Sequence, residues 1–232
     1  MNMELSWMAK LAIWVLPVLF AVTLHEVAHG KVAQKLGDDT AFRLGRLSLN
    51  PLRHVDPVGT ILVPGLLLLI GGFVFGWAKP VPVVMSRLNK PKRDMAIVAV
   101  AGPLSNLAMA LFWALVTRLA LIYHMTLGDS ALFLLFMGTA GIIINVVLLV
   151  LNMMPLPPLD GGRVLAGLLP TKAALQLGRI EPYGLIIIIA LLATGYLGKI
   201  LDPLLILVSS SIVELMGIPI NSFITSLNII AP

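Results

Sequence analysis

Apolar residues come in long runs along this chain, and polar ones are confined to the short connections between them. The first run lies within residues 7–36 and has an apolar part of about twenty residues, enough to cross a bilayer as a helix. Its expected end is just before Gly37-Asp38-Asp39. The period then changes: Ala41–Leu49 alternates apolar with polar or small residues, which predicts a strand. Asn50-Pro51 and Asp56-Pro57 mark turns. Val58–Phe75 is apolar again but broken by Pro64, Gly65, Gly71 and Gly72, and Phe75–Val83 is proline-rich and so extended. Long helices are expected over 93–123 and 131–154, separated by His124–Ser130. Two last apolar segments, 183–197 and 203–217, predict a hairpin turning at Gly198–Asp202.

The pattern gives an all-α polytopic membrane protein in one domain over 1–232. Helices 7–36, 93–123 and 131–154 are its expected core, with a membrane-associated loop at 41–84 and the hairpin after them. Charge refines the topology. Lys31, Lys35, Arg43, Arg46 and Arg53 precede Val58–Phe75, and Lys79, Arg87, Lys90, Lys92 and Arg93 follow it. A crossing there would put two basic loops on opposite faces, against the positive-inside bias. The expectation is therefore a re-entrant segment and five spanning helices rather than six. His124–Ser130 has no Lys or Arg and reads as external.

Composition agrees. Charged residues make up 12% of the 232, against about 25% in soluble domains, so the lipid bilayer is an expected partner. The net charge of +5 sits in loops and points to no nucleic acid. Without cysteine there is neither a disulfide nor a thiolate metal site. The first run is too long for a cleavable signal peptide, and it carries chemistry of its own.

That chemistry is His25-Glu26-x-x-His29. On a helix the two histidines stand one turn apart on one face, where they can share a zinc ion. Glu26 is placed to accept a proton from metal-bound water. Ionisable residues inside a span are functional candidates by default. Catalytic zinc takes three protein ligands and keeps one open position. His54 and His124 lie in connections, at the wrong depth. Asp160 follows Pro155, Pro157 and Pro158 and precedes Gly161-Gly162, and spacing alone leaves it as a third ligand or a helix cap.

His25-Glu26-x-x-His29, Ala101-Gly102-Pro103-x-x-Asn106 and Asn152-x-x-Pro155-x-x-Pro158-Leu159-Asp160-Gly161 resemble, in order, the three core motifs of the site-2 proteases. These are intramembrane zinc metalloproteases of the M50 class, and Phe75–Val83 is similar to a segment of their compact prokaryotic members. The resemblance covers roughly Leu11 to Val164. It implies one zinc held by His25, His29 and Asp160, Glu26 as base, and Asn106 and Asn152 as substrate-binding or transition-state residues. It further implies a prokaryotic cell membrane, a site toward the cytoplasm and a transmembrane protein substrate. The chain has no room for a PDZ insertion after the second core helix. An unwound substrate needs pairing for its backbone, and Ala41–Leu49 and Phe73–Val84 are the expected strand templates. A zinc-binding or zinc-transport protein is the competing reading, and Glu26 separates the two, because a carrier needs no base beside its ligands. Oligomeric state is not legible.

Overall fold

The computed structural model describes residues 5–62 and 79–231. Helix α1, Trp7–Lys35, starts where the Ser6 hydroxyl caps the Ala9 N–H at 3.2 Å. It stops at Gly37, whose φ of +110° suits a residue without a side chain. A four-residue helix, α2 (Thr40–Arg43), follows. The strand expected over Ala41–Leu49 is therefore a helical turn and a loop, and no strand occurs among the described residues. Period-2 alternation over nine residues was satisfied another way. Ala41 is buried and Leu47 packs on Gly30 of α1, where a Cβ would meet the Leu47 side chain at 2.3 Å.

Helix α3, Pro91–Ile122, begins with proline at its first position and with the Asp94 carboxylate accepting the Lys90 N–H at 2.7 Å. A short turn, α4 (His124–Leu127), leads to α5, Asp129–Asn152. Helices α1, α3 and α5 pack on one another, with α3 against α5 the most extensive contact. That closeness comes from small residues, since a Cβ on Gly141 would meet the Trp113 ring at 2.1 Å and one on Gly138 the Thr117 hydroxyl at 2.2 Å. Helix α6, Asp160–Leu168, lies on α3 and is followed by α7, Thr171–Gly178.

The expected hairpin is α8, Glu181–Ala193, and α9, Tyr196–Leu215, turning at Gly195 rather than over Gly198–Asp202. Pro203 lies inside α9, where it has no N–H to donate to the helix. Helix α10, Ile220–Ile230, was not anticipated. It ties the chain's end to its start through the Trp14 indole N–H, which donates to Ile230 O at 3.1 Å.

Among the described residues, helices α1, α3, α5 and α9 are long and apolar enough to cross a membrane, and α7 with α8, bent by 60°, gives up to a fifth span. Large apolar side chains such as Leu16, Phe20, Phe112, Leu115 and Ile206 are exposed. Such a surface fits an integral membrane protein. Most of Val58–Phe75, where re-entry is expected, lies outside the described residues. Its flanks meet, with the Lys79 N–H donating to His54 O at 2.9 Å.

Candidate metal centre

Helical spacing brings His25 and His29 to one face of α1, with their rings edge to face at 4.6 Å between centroids. Opposite them, α3 presents Gly102. A Cβ there would lie 2.4 Å from His29 Nε2 and 2.6 Å from His25 Cε1, so only glycine admits both rings. Asp160 arrives from α6. The loop between α5 and α6 folds back over that helix's start, and a Cβ on Gly161 would meet Met153 O at 2.3 Å. A Cβ on Gly162 would likewise meet Pro157 N at 2.4 Å, so Gly161 and Gly162 let the Asn152–Leu159 loop close down on the start of α6.

The resulting triangle is tight. Asp160 Oδ2 stands 3.2 Å from each Nε2, and the two Nε2 atoms are 3.0 Å apart. His25, His29 and Asp160 are buried. Their far sides fix their protonation. His29 Nδ1 lies 2.8 Å from Val98 O, a carbonyl that only accepts, so the proton of the neutral ring is on Nδ1. His25 Nδ1 lies 2.6 Å from Asn106 Oδ1, and the Asn106 amide nitrogen donates to Ala21 O at 3.2 Å, which sets the amide's orientation. Both Nε2 atoms therefore carry lone pairs. They face each other and a carboxylate oxygen that has no hydrogen-bond partner among the described residues. Three lone pairs at such distances need a cation between them. Their separations approximate one face of the tetrahedron set by zinc–ligand distances of about 2.0–2.2 Å. His25, His29 and Asp160 can hold a metal ion.

Comparison with known proteins decides which. Over 205 residues the chain is 39% identical to "Putative zinc metalloprotease YwhC" of Bacillus subtilis, covering 88% of this chain and 90% of that one. Over 182 residues it is 30% identical to "Putative zinc metalloprotease Rip2" of Mycolicibacterium smegmatis, covering 78% and 66%. The chain belongs to this zinc metalloprotease family. No family model and no solved structure matches it. Zinc is the metal of this metalloprotease, and the donor set suits it: two neutral imidazoles and a carboxylate.

Glu26 lies beside the triangle and not in it. Its Oε2 accepts the Val81 backbone N–H at 2.6 Å. Asn106 touches His25 directly, whereas Asn152 donates to Leu148 O of its own helix at 2.9 Å. His54 and His124 bond the carbonyls of Ser48 and Leu121. Sequence reading missed Asn145, fully buried in α5, whose Oδ1 accepts from the Asn106 amide at 3.0 Å. Its signal was an uncharged polar residue alone in the apolar run Gly141–Leu151.

Proposed function

We propose that this zinc metalloprotease is an intramembrane endopeptidase of the site-2 protease kind, in the compact M50 form without a PDZ domain. It hydrolyses peptide bonds of transmembrane substrates near the cytoplasmic face. The observation that carries this is where the ligand set lies: His25 and His29 stand on α1 and face α3, both long and apolar enough to span a bilayer, and Asp160 opens α6, which packs on α3.

His25, His29 and Asp160 are the ligands. Zinc, when bound, supplies Lewis acidity, lowering the pKa of coordinated water toward about 7 and polarising a carbonyl. Val81 holds Glu26 by Oε2, which leaves Oε1 to accept the proton of the attacking water. Asn106 orients the His25 ring through Nδ1, and Asn152, at the mouth of the Asn152–Leu159 loop, binds substrate backbone. A zinc carrier with the same ligands is disfavoured, since it gives Glu26 and its backbone donor nothing to do.

Glu26→Gln in purified protein should abolish cleavage of a labelled transmembrane peptide, by roughly 10²–10⁴-fold, with about one zinc per chain retained. Chelator should stop the wild type. Cleavage unchanged by both would remove the proposal. Orientation has its own test, because no native cysteine interferes. Cysteines at Ser48 and Asn89 should label from the cytoplasmic side and one at Gly128 from outside. Ser48 and Asn89 labelling from opposite faces would mean that Val58–Phe75 spans.

A further inference from the structure

Asn145 belongs to no motif that singled out the centre, yet it ends a hydrogen-bond chain of fixed direction. Its amide nitrogen donates to Gly141 O at 2.9 Å. A carbonyl only accepts, so Asn145 Oδ1 is turned toward Asn106, whose nitrogen donates to it at 3.0 Å. Asn106 Oδ1 is thereby turned toward His25 Nδ1, at 2.6 Å, and His25 Nε2 is left bare. Reversing either amide sets nitrogen against nitrogen and oxygen against carbonyl in a site where both asparagines are fully buried. Among the described residues two contacts oppose reversal at Asn106. One is Ala21 O at 3.2 Å, and the shorter is Asn145. Three helices contribute to the chain: α5 through Gly141 and Asn145, α3 through Asn106, α1 through Ala21 and His25.

We infer that Asn145 is a positioning residue for the zinc ligand His25. Relayed through Asn106, it sets the tautomer that exposes the Nε2 lone pair to the metal. The other ligand needs no such relay, because Val98 O fixes His29 directly. The two histidines of one motif are thus prepared differently, one by backbone and one by two side chains in series. The inference rests on the zinc centre and not on the identity of the substrate.

Two measurements test it, neither of which uses proteolysis. In metal-free wild type labelled with ¹⁵N-histidine, His25 should show a protonated Nδ1 and a bare Nε2. A neutral His25 protonated on Nε2 and bare on Nδ1 would overturn the inference whatever any variant does. Asn145→Leu, similar in size and unable to accept, should weaken zinc binding about 10- to 100-fold in a chelator competition and populate the other His25 tautomer. Asn145→Asp in its neutral acid form can donate to Gly141 O and accept from Asn106, and should restore affinity to within a few-fold. Wild-type affinity in folded Asn145→Leu would make Asn145 a packing residue only. Affinity lost equally in the Leu and Asp variants would show that the direction of the bonds is not what matters. Wild-type protein that binds zinc but cleaves no transmembrane peptide would count against the proposed proteolysis and leave this inference standing.

Discussion

Around His29 the fold aims side chains at one another from four helices; one turn back, at Glu26, it aims a backbone N–H at a side chain. The metal corner and the 79–84 segment share α1 but are held by opposite means. In the corner each polar group has a partner fixed by helix geometry: Val98 O for His29, Asn106 for His25, Asn145 for Asn106. In the segment, Lys79, Val81 and Val84 donate to His54 O, Glu26 and Asp38, while Pro80 and Pro82 have nothing to donate. Carboxylates from α1 and its end organise that extended chain, much as capping groups organise a helix terminus. Helix-borne groups hold the corner proposed for the metal, and a stretch of irregular backbone holds Glu26, the proposed base.

The sharpest way to break the corner is to add one methyl group. Gly102→Ala would place a Cβ 2.4–2.6 Å from atoms of both ligand histidines, and helix backbone cannot yield as a long side chain would. Overpacking of this kind costs about 1–3 kcal/mol, or roughly 10- to 100-fold in zinc affinity. Metal analysis after dialysis should show zinc well below one per chain. Gly178→Ala, with nothing within 4 Å, is the control and should keep it. Full occupancy in Gly102→Ala would mean that the helices part more easily than their packing suggests.

A next, smaller effect separates the two roles open to the segment. Val81→Pro removes the donor on Glu26 and should slow cleavage about tenfold, equally for a helical transmembrane substrate and a short flexible peptide, without loss of zinc. Val83 is the place to test strand pairing, because the fold already uses the N–H groups of Lys79, Val81 and Val84. Val83→Pro should spare the flexible peptide and slow the helical one. Equal slowing of both by Val83→Pro would end the template idea for the described part of the segment.

This contrast also explains what could be read from sequence. The histidine pair was legible because a helix converts spacing into facing, so His25 and His29 had to meet once α1 formed. Asp160 was legible only as one of two options, because the Asn152–Leu159 loop takes its shape from Gly161 and Gly162 packed on its own backbone at Met153 and Leu156-Pro157. Gly102 stood inside a recognised motif with no assigned task, since its task is to be absent. Asn145 was passed over because only neighbouring helices reveal its partners. The strand expected over Ala41–Leu49 failed for a related reason. Alternation reports which residues are buried, and there Ala41 and Leu47 are held against Gly30 by a helical turn and a loop.

Asp38 offers the mildest and most local way to sharpen the comparison, since it holds the far end of the segment. Its side chain is 1% exposed. One oxygen accepts from the Thr40 N–H and hydroxyl, and the other accepts the Val84 N–H at 2.6 Å. Burial alone would raise its pKa. The bonds from Thr40 and Val84, with Arg87 nearby, outweigh that and hold the carboxyl below the usual aspartate range. A group whose pKa is lowered on folding contributes stability that is full above its unfolded value, near 4, and lost as pH falls through the folded one. Wild-type exchange protection at the Val84 amide should therefore be flat near neutrality and fall in acid. Asp38→Asn must turn its NH₂ toward either Val84 or Thr40, donor against donor, and should lose about 1 kcal/mol of local protection at pH 7. Its acid dependence should be shallower, because the titrating group is gone. Zinc content should not change, since no bond described here links Asp38 to the corner. Unchanged Val84 protection in Asp38→Asn would show that the Asp38 carboxylate does not hold the far end of the segment.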